Sequence, residues 1–236
     1  MQDSSMSGKN PNREVQERCA LKPKLERVSH YVTKDKKTGD ILKGFGVGIE
    51  QARRKTGIDI IGEIAWGGHF CVFYQSKQDL IDILVPYFKA GLENNEFCMW
   101  ITSDPLNTTE AKKSLKRSVK NLDSYIKKGQ IDILDYSQWH TKSGKFETDR
   151  VLQGWVQKHD DALTRGFDGL RLTGNTFWLE EKDWREFTEY ERTINSVLGQ
   201  YRMLAVCTYS LHKCGVSEVI DAVSYTHLTL PTTPYV

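Results

Sequence analysis

The sequence contains no run of about 18 consecutive apolar residues, the length that crosses a bilayer, and its N-terminus has no apolar core of the kind that directs export. No membrane span is expected, and the chain reads as cytoplasmic. Net charge is nearly absent as well: +2 over 236 residues singles out no class of charged partner. Metal-ligand spacings such as C-x-x-C and H-x-x-x-H are missing, so neither a metal site nor a cofactor is expected from the pattern. The five cysteines, Cys19, Cys71, Cys98, Cys207 and Cys214, are odd in number and scattered, and three lie inside apolar runs. That suits reduced, buried thiols better than a disulfide framework.

The two ends differ in style from the middle. Residues 1–52 are polar and basic, with Lys34, Lys36 and Lys37 close together, and read as a flexible extension. Acidic residues are interspersed and no aromatic platform accompanies the bases, so nucleic acid is not expected as a partner. Residues 222–236 end in VSYTHLTLPTTPYV, which has no helical or strand period. Back-translated, that segment resembles the transposon adapter of sequencing libraries. The native domain is therefore expected to span residues 53–221, with the natural protein continuing past Asp221.

Between the ends, strand-length apolar runs alternate with amphipathic segments. HFCVFY (His69–Tyr74), FCMWI (Phe97–Ile101), IDILDY, GLRLTG and MLAVCTYSL (Met203–Leu211) read as buried strands. Leu80, Leu84, Tyr87, Phe88 and Leu92 recur at helical spacing behind a Ser76 cap. Pro105 fits the first turn of a helix running through Ala111 and Leu115 towards Tyr125, and further helices are expected from about Thr148 to Arg165 and from Trp184 to Leu198. Strands separated by helices of roughly 12–18 residues imply a three-layer α/β domain with a largely parallel sheet covered on both faces. In such sheets the ligand crevice lies beyond the C-terminal strand ends.

Those ends carry hydroxyls, amides and aromatics rather than paired carboxylates, which suits binding better than acid–base catalysis. Trp139, Arg171, Asn175, Trp178 and Tyr209 are the candidate ligand-binding residues, and no catalytic residue is assigned. Arg171 is a cation inside an expected central strand, so it needs an anionic ligand or a structural carboxylate such as Asp168 or Glu180. His159, Asp160 and Asp161 read as a solvated helix face. The stretch GEIAWGGH has glycines at phosphate-loop spacing, but Gly68 replaces the lysine and His69 the hydroxyl residue, and the loop precedes a strand instead of opening a helix. Gly62, Gly67, Gly68 and His69 thus read as a degenerate phosphate loop. His69 and Cys71, two apart on a strand, share a face and read as core.

The blocks RKTGIDIIGEIAWGGHFCVFY, LIDILVPYFKAGLENNEFCMWITSDPL, GFDGLRLTGNTFWLEEKDW and MLAVCTYSLHKCGVSEVID together resemble the MEDS domain, the methanogen/methylotroph sensory domain. The resemblance covers about residues 53–221. It implies a RecA/KaiC-like fold without a working phosphate loop and a non-catalytic sensory input module. A small molecule of the hydrocarbon-derivative class would be the ligand, and a PAS or histidine-kinase output domain would follow. The family commonly has threonine where Gly68 stands here. Two alternatives stay open: a KaiC-like nucleotide-binding regulator, and a protein-interaction or homodimerisation module.

Overall fold

A strand that must be rejoined through a helix pairs in parallel with its predecessor, because only a crossover returns the chain to the same end of the sheet. The computed structural model describes residues 53–225 and has this architecture. Strands β1 (Arg53–Lys55) and β2 (Glu63–Ala65) form a short antiparallel ribbon. Then follow β3 (His69–Tyr74), α1 (Lys77–Glu93), β4 (Phe97–Thr102), α2 (Thr108–Ser118), α3 (Leu122–Lys127), β5 (Ile131–Asp135) and α4 (Tyr136–Trp139). The chain continues through α5 (Thr148–Thr164), β6 (Leu170–Asn175), α6 (Trp184–Leu198), β7 (Met203–Ser210) and α7 (Val216–Tyr225). Strands β3 to β7 make one five-stranded sheet in the order β3-β7-β6-β4-β5, parallel at every pairing.

Alternation along the strands splits the core into two layers. Met99, Ile101, Leu172, Ala205 and Cys207 point to one face and meet Trp155 of α5 and Phe187, Tyr190 and Ile194 of α6. Cys98, Trp100, Phe70 and Val206 point to the other and meet Leu80, Leu84 and Phe88 of α1 and Leu115 of α2. Full burial of one such leucine contributes about 1.5–3 kcal/mol. Leu80, Leu84 and Leu115 are each at most 1% exposed.

Local signals fix where the helices begin. Ser76 accepts from the Asp79 amide while Asp79 accepts from the Ser76 amide, and Asn107 with Glu110 repeats this reciprocal box at α2. Asn107, not Pro105, therefore caps α2, and Pro105 lies ahead of the helix. The expected single helix towards Tyr125 is two helices, because Asn121 adopts φ +58°, a left-handed conformation that breaks the ladder between α2 and α3. His159 is buried, not solvated: its ring sits edge-on to Tyr201 and its Nδ1 lies 2.9 Å from the Asp160 carboxylate. Helix α7 runs through the expected boundary at Asp221 to Tyr225, and Ala222 is buried in the α6-side core. The N-terminal extension, Cys19 and residues 226–236 lie outside the described residues. Among the described residues, no helix is long and apolar enough to cross a membrane.

Candidate functional site

Phosphate loops work by joining a strand to a helix N-terminus, so that free amides converge on the anion. Gly62, Gly67 and Gly68 are placed otherwise, ahead of β3, and His69 is the first residue of that strand, at its N-terminal end. Gly67 makes the turn there at φ +84°, its amide donates to the Met203 carbonyl at 2.8 Å, and an added Cβ would come within 2.9 Å of Gly199 Cα. The β3–α1 junction, where such a loop would have to be, is only Gln75 and Ser76. Both amides donate to Asp79 Oδ2, at 2.9 and 2.8 Å, and these bonds hold the Asp79 carboxyl below the usual carboxylate range. The donors a phosphate would need are already engaged by an acidic side chain.

Arg171, second residue of β6, points into the α1 side of the sheet near the N-terminal strand ends. Its Nε donates to Glu96 Oε2 at 2.5 Å, Nη1 to the Thr56 and Tyr87 carbonyls at 3.0 Å each, and Nη2 to the Lys55 carbonyl at 2.8 Å. Glu96 Oε1 accepts from Arg54 Nε at 2.9 Å, and Arg54 reaches Asp168 at 3.1 Å. The structural carboxylate is thus Glu96, a residue 75 positions away in sequence, rather than Asp168 or Glu180. Arg171 does not meet the other four candidates, and its donors are directed at the fold itself.

Trp139, Asn175, Trp178 and Tyr209 all belong to the C-terminal ends of β5, β6 and β7 or to the segments just after them, and of the four Asn175 and Trp178 border the small pocket there. Trp178 stacks on Tyr136 at 5.8 Å and on His140 at 5.5 Å, while Trp139 packs against Trp155 at 4.5 Å. Asn175 Oδ1 accepts from the Phe177 amide at 2.9 Å and from the Tyr74 hydroxyl at 3.3 Å, which sets the path of the β6–α6 loop. Tyr209 is fully buried between Phe73 and Trp184. Beneath the loop lies a narrow pocket of about 10 Å³, bounded by His140, Asn175, Trp178, Tyr190, Glu191 and Cys207. That is room for about one water. Outside the same loop, Thr176, Leu179, Trp184, Lys213 and Glu218 line an open cleft of about 520 Å³, and Thr176 borders both spaces.

His140, directly after α4, is 3% exposed. Burial, helped by the Arg150 charge, pushes its pKa down to about 3, so the ring is neutral at physiological pH. Its Nδ1 and the indole nitrogens of Trp139 and Trp178 are buried without a hydrogen-bond partner among the described residues.

A second polar group adjoins the cavity. His69 from β3, Glu191 from α6 and Cys207 from β7 are all buried, and their donor atoms lie within 4.8 Å of one another. His69 Nε2 is 3.3 Å from Cys207 Sγ and 3.4 Å from Glu191 Oε2, and Cys207 Sγ is 3.4 Å from Glu191 Oε1. Burial pushes the Glu191 carboxyl up to about 7, with the Cys207 thiol and the Tyr209 hydroxyl acting in the other direction. Burial also pushes the Cys207 thiol well above its usual range, and the neighbouring Glu191 adds to this. His69 therefore meets Cys207 rather than only its strand neighbour Cys71. The one signal in the sequence was Glu191 itself, a carboxylate on the Phe187, Tyr190, Ile194 stripe of α6.

Among solved structures, the chain is similar to a KaiC-like protein from the hyperthermophilic archaeon Pyrococcus horikoshii OT3, with a TM-score of 0.50 and 17% identity over 68% of this chain and 71% of that one. This likeness establishes a KaiC-like α/β fold. No curated protein matches the chain. Residues 68–227, well over half of the sequence, match the model of MEDS, the methanogen/methylotroph, DcmR sensory domain, and the chain belongs to that family, with a sensory or input role.

Proposed function

We propose that residues 53–221 form a non-catalytic input module that binds a small molecule under the β6–α6 loop and passes its occupancy to an output domain. The observation that carries this is the cavity itself. Aromatic walls surround buried donors on Trp178 and, in one tautomer, His140 that find no acceptor among the described residues. A small ligand with an apolar body and one acceptor atom, such as a simple hydrocarbon derivative, satisfies both features. The cavity holds only about one water, so a larger occupant has to displace the loop from Asn175 to Trp178, and that displacement is the signal. Asn175 and Trp178 line the pocket, Trp139 and Tyr209 act from the aromatic layer around it, and Arg171 leaves the set. The output is a PAS or histidine-kinase region beyond the domain, and homodimerisation would give the loop shift a second surface to act on. The sequence-derived nucleotide alternative is disfavoured by Asp79 at the β3–α1 junction.

Intrinsic tryptophan fluorescence of the full chain, titrated with methanol, methylamine and their C2 and C3 homologues, tests the reading. A saturable change for one probe, lost in Trp178→Phe and kept in Arg171→Lys, is the expected result. A flat response to every probe, alongside saturable binding of Mg-ATP in calorimetry, overturns it in favour of the nucleotide reading.

A further inference from the structure

The structure assigns a second role to the group beside the cavity: we propose that His69 Nε2, Cys207 Sγ and the Glu191 carboxylate bind one divalent transition-metal ion of the zinc class. The three donors are of the types zinc accepts, imidazole, thiolate and carboxylate, and three protein ligands with a fourth position left to water or another small molecule is a common zinc arrangement. Zinc bonds of about 2.0–2.3 Å in tetrahedral geometry put neighbouring ligand atoms about 3.3–3.6 Å apart. His69 Nε2 stands 3.3 Å from Cys207 Sγ and 3.4 Å from Glu191 Oε2, while Cys207 Sγ is 3.4 Å from the other carboxylate oxygen, Oε1. With one oxygen taken from Glu191 the three donors lie within 4.8 Å of one another, so the group accepts a metal once the carboxylate turns, or binds it through both oxygens.

A hydrogen-bonded network explains the same residues less well. A good N–H···O bond spans about 2.7–3.2 Å. The His69–Glu191 separation of 3.4 Å exceeds that, and among the described residues Glu191 Oε2 has no hydrogen bond of good geometry, the Tyr209 hydroxyl being its other polar neighbour, although Glu191 is 2% exposed. A buried carboxylate of this kind calls for a cation. Among the described residues, no lysine or arginine is ion-paired with it, whereas Glu96 on the opposite face has two arginines. The scaffold is also stiff: two ligands come from adjacent parallel strands and the third from the helix packed over them.

No motif announces such a site, because the ligands are separated by 138 positions between His69 and Cys207 and by 16 between Glu191 and Cys207. Parallel strand order brings them together. On uptake the Cys207 thiol releases its proton to solvent and the thiolate binds the metal. The site stands or falls on metal uptake alone, whatever molecule the cavity accepts.

The test is cobalt(II) titration of the full chain after removal of metals with a chelator. One equivalent should produce ligand-field bands of tetrahedral intensity and a thiolate-to-cobalt charge-transfer band in the near ultraviolet, and zinc should bleach both. Cys207→Ser should abolish the charge-transfer band, and the near-isosteric Glu191→Gln should weaken cobalt binding by about 100-fold, the upper end of what even outer-shell losses cost. Cys214→Ser, which alters a thiol outside the group, should bind as the wild type does. If wild-type protein shows no saturable band, or if the charge-transfer band survives in folded Cys207→Ser, the assignment is wrong. Should Cys207→Ser fail to fold, the wild-type titration and Glu191→Gln still decide the matter.

Discussion

One sheet carries two buried ionisable clusters on its opposite faces, and they are finished to different degrees. On the α1 side, Arg171 and Glu96 are both buried, and the guanidinium reaches one carboxylate and three backbone carbonyls while Glu96 takes a second arginine. On the α6 side, among the described residues, one Glu191 oxygen, His140 Nδ1 and two indole nitrogens have no hydrogen bond, and a small pocket borders Glu191, His140 and Trp178. Burying polar groups costs free energy that partners must offset. The first cluster offsets that cost within the chain, so it serves the fold. The second leaves part of it standing, which a protein tolerates where something else is to be bound.

The largest expected effect breaks the finished cluster. Arg171→Ala leaves Glu96 with Arg54 alone beside a cavity, frees three carbonyls and should destabilise the domain by about 3–5 kcal/mol in urea unfolding, the cost typical of removing one partner of a buried pair. A loss below about 1 kcal/mol would mean that the network is ornamental. Smaller, and confined to geometry, is Gly91→Ala. A Cβ there would sit 2.6 Å from Arg171 Cδ and 2.8 Å from Cys98 Sγ, so α1 must lift from the sheet. We expect a loss of about 1–3 kcal/mol, and a double variant with Arg171→Ala should cost less than the sum, because the atom that clashes is gone.

The same contrast explains what could be read from the chain. Strands and helices were legible because HFCVFY, FCMWI and MLAVCTYS are apolar runs, and Ser76 and Asn107 announce their helices with reciprocal caps. The helix break at Asn121 was not, since a left-handed asparagine has no spacing signature. Of the candidate site, Trp139, Asn175, Trp178 and Tyr209 were chosen by one rule, that ligands meet strand C-termini, and Asn175 and Trp178 border the small pocket there. Arg171 obeyed a different physics: a buried cation signals a partner but not which one, and Glu96 looks like an ordinary acid just before a strand. His69, Glu191 and Cys207 escaped because only the order of strands makes neighbours of them.

A milder effect comes from the unpartnered imidazole. His140 has a pKa of about 3 in the fold against 6.5 as its reference, so between those values the unfolded chain takes up a proton that the folded one refuses. Its contribution to stability is complete above pH 6.5 and declines as pH falls, with a slope of about 1.4 kcal/mol per pH unit. Arg150 and, across the cavity, Glu191 are the charged groups around it. Glu191, at about 7, runs the opposite way in that window, so the difference between His140→Gln and wild type is the quantity to measure. His140→Gln should flatten the fall between pH 6.5 and 5; identical curves would mean that His140 is protonated in the fold.

The smallest expected effect separates the two clusters most sharply. If Glu191 and His69 were an ion pair equivalent to Arg171 and Glu96, Glu191→Gln would cost about 3–5 kcal/mol, as removal of one buried partner does. An unfinished site behaves differently: an amide of nearly the same shape replaces a carboxylate whose burial was not offset, so chelator-treated Glu191→Gln should lie within about 1 kcal/mol of wild type, on either side. Added zinc then reverses the ranking, because a ligand that binds only the folded state at 100 times its dissociation constant stabilises by about 2.7 kcal/mol, and only wild type should gain it. Denaturant unfolding of both proteins with chelator and with zinc yields four numbers. A large loss already present under chelator would make the α6-side cluster a structural pair like its counterpart, whereas a loss that arises only with zinc shows that the two faces of the sheet hold different kinds of chemistry.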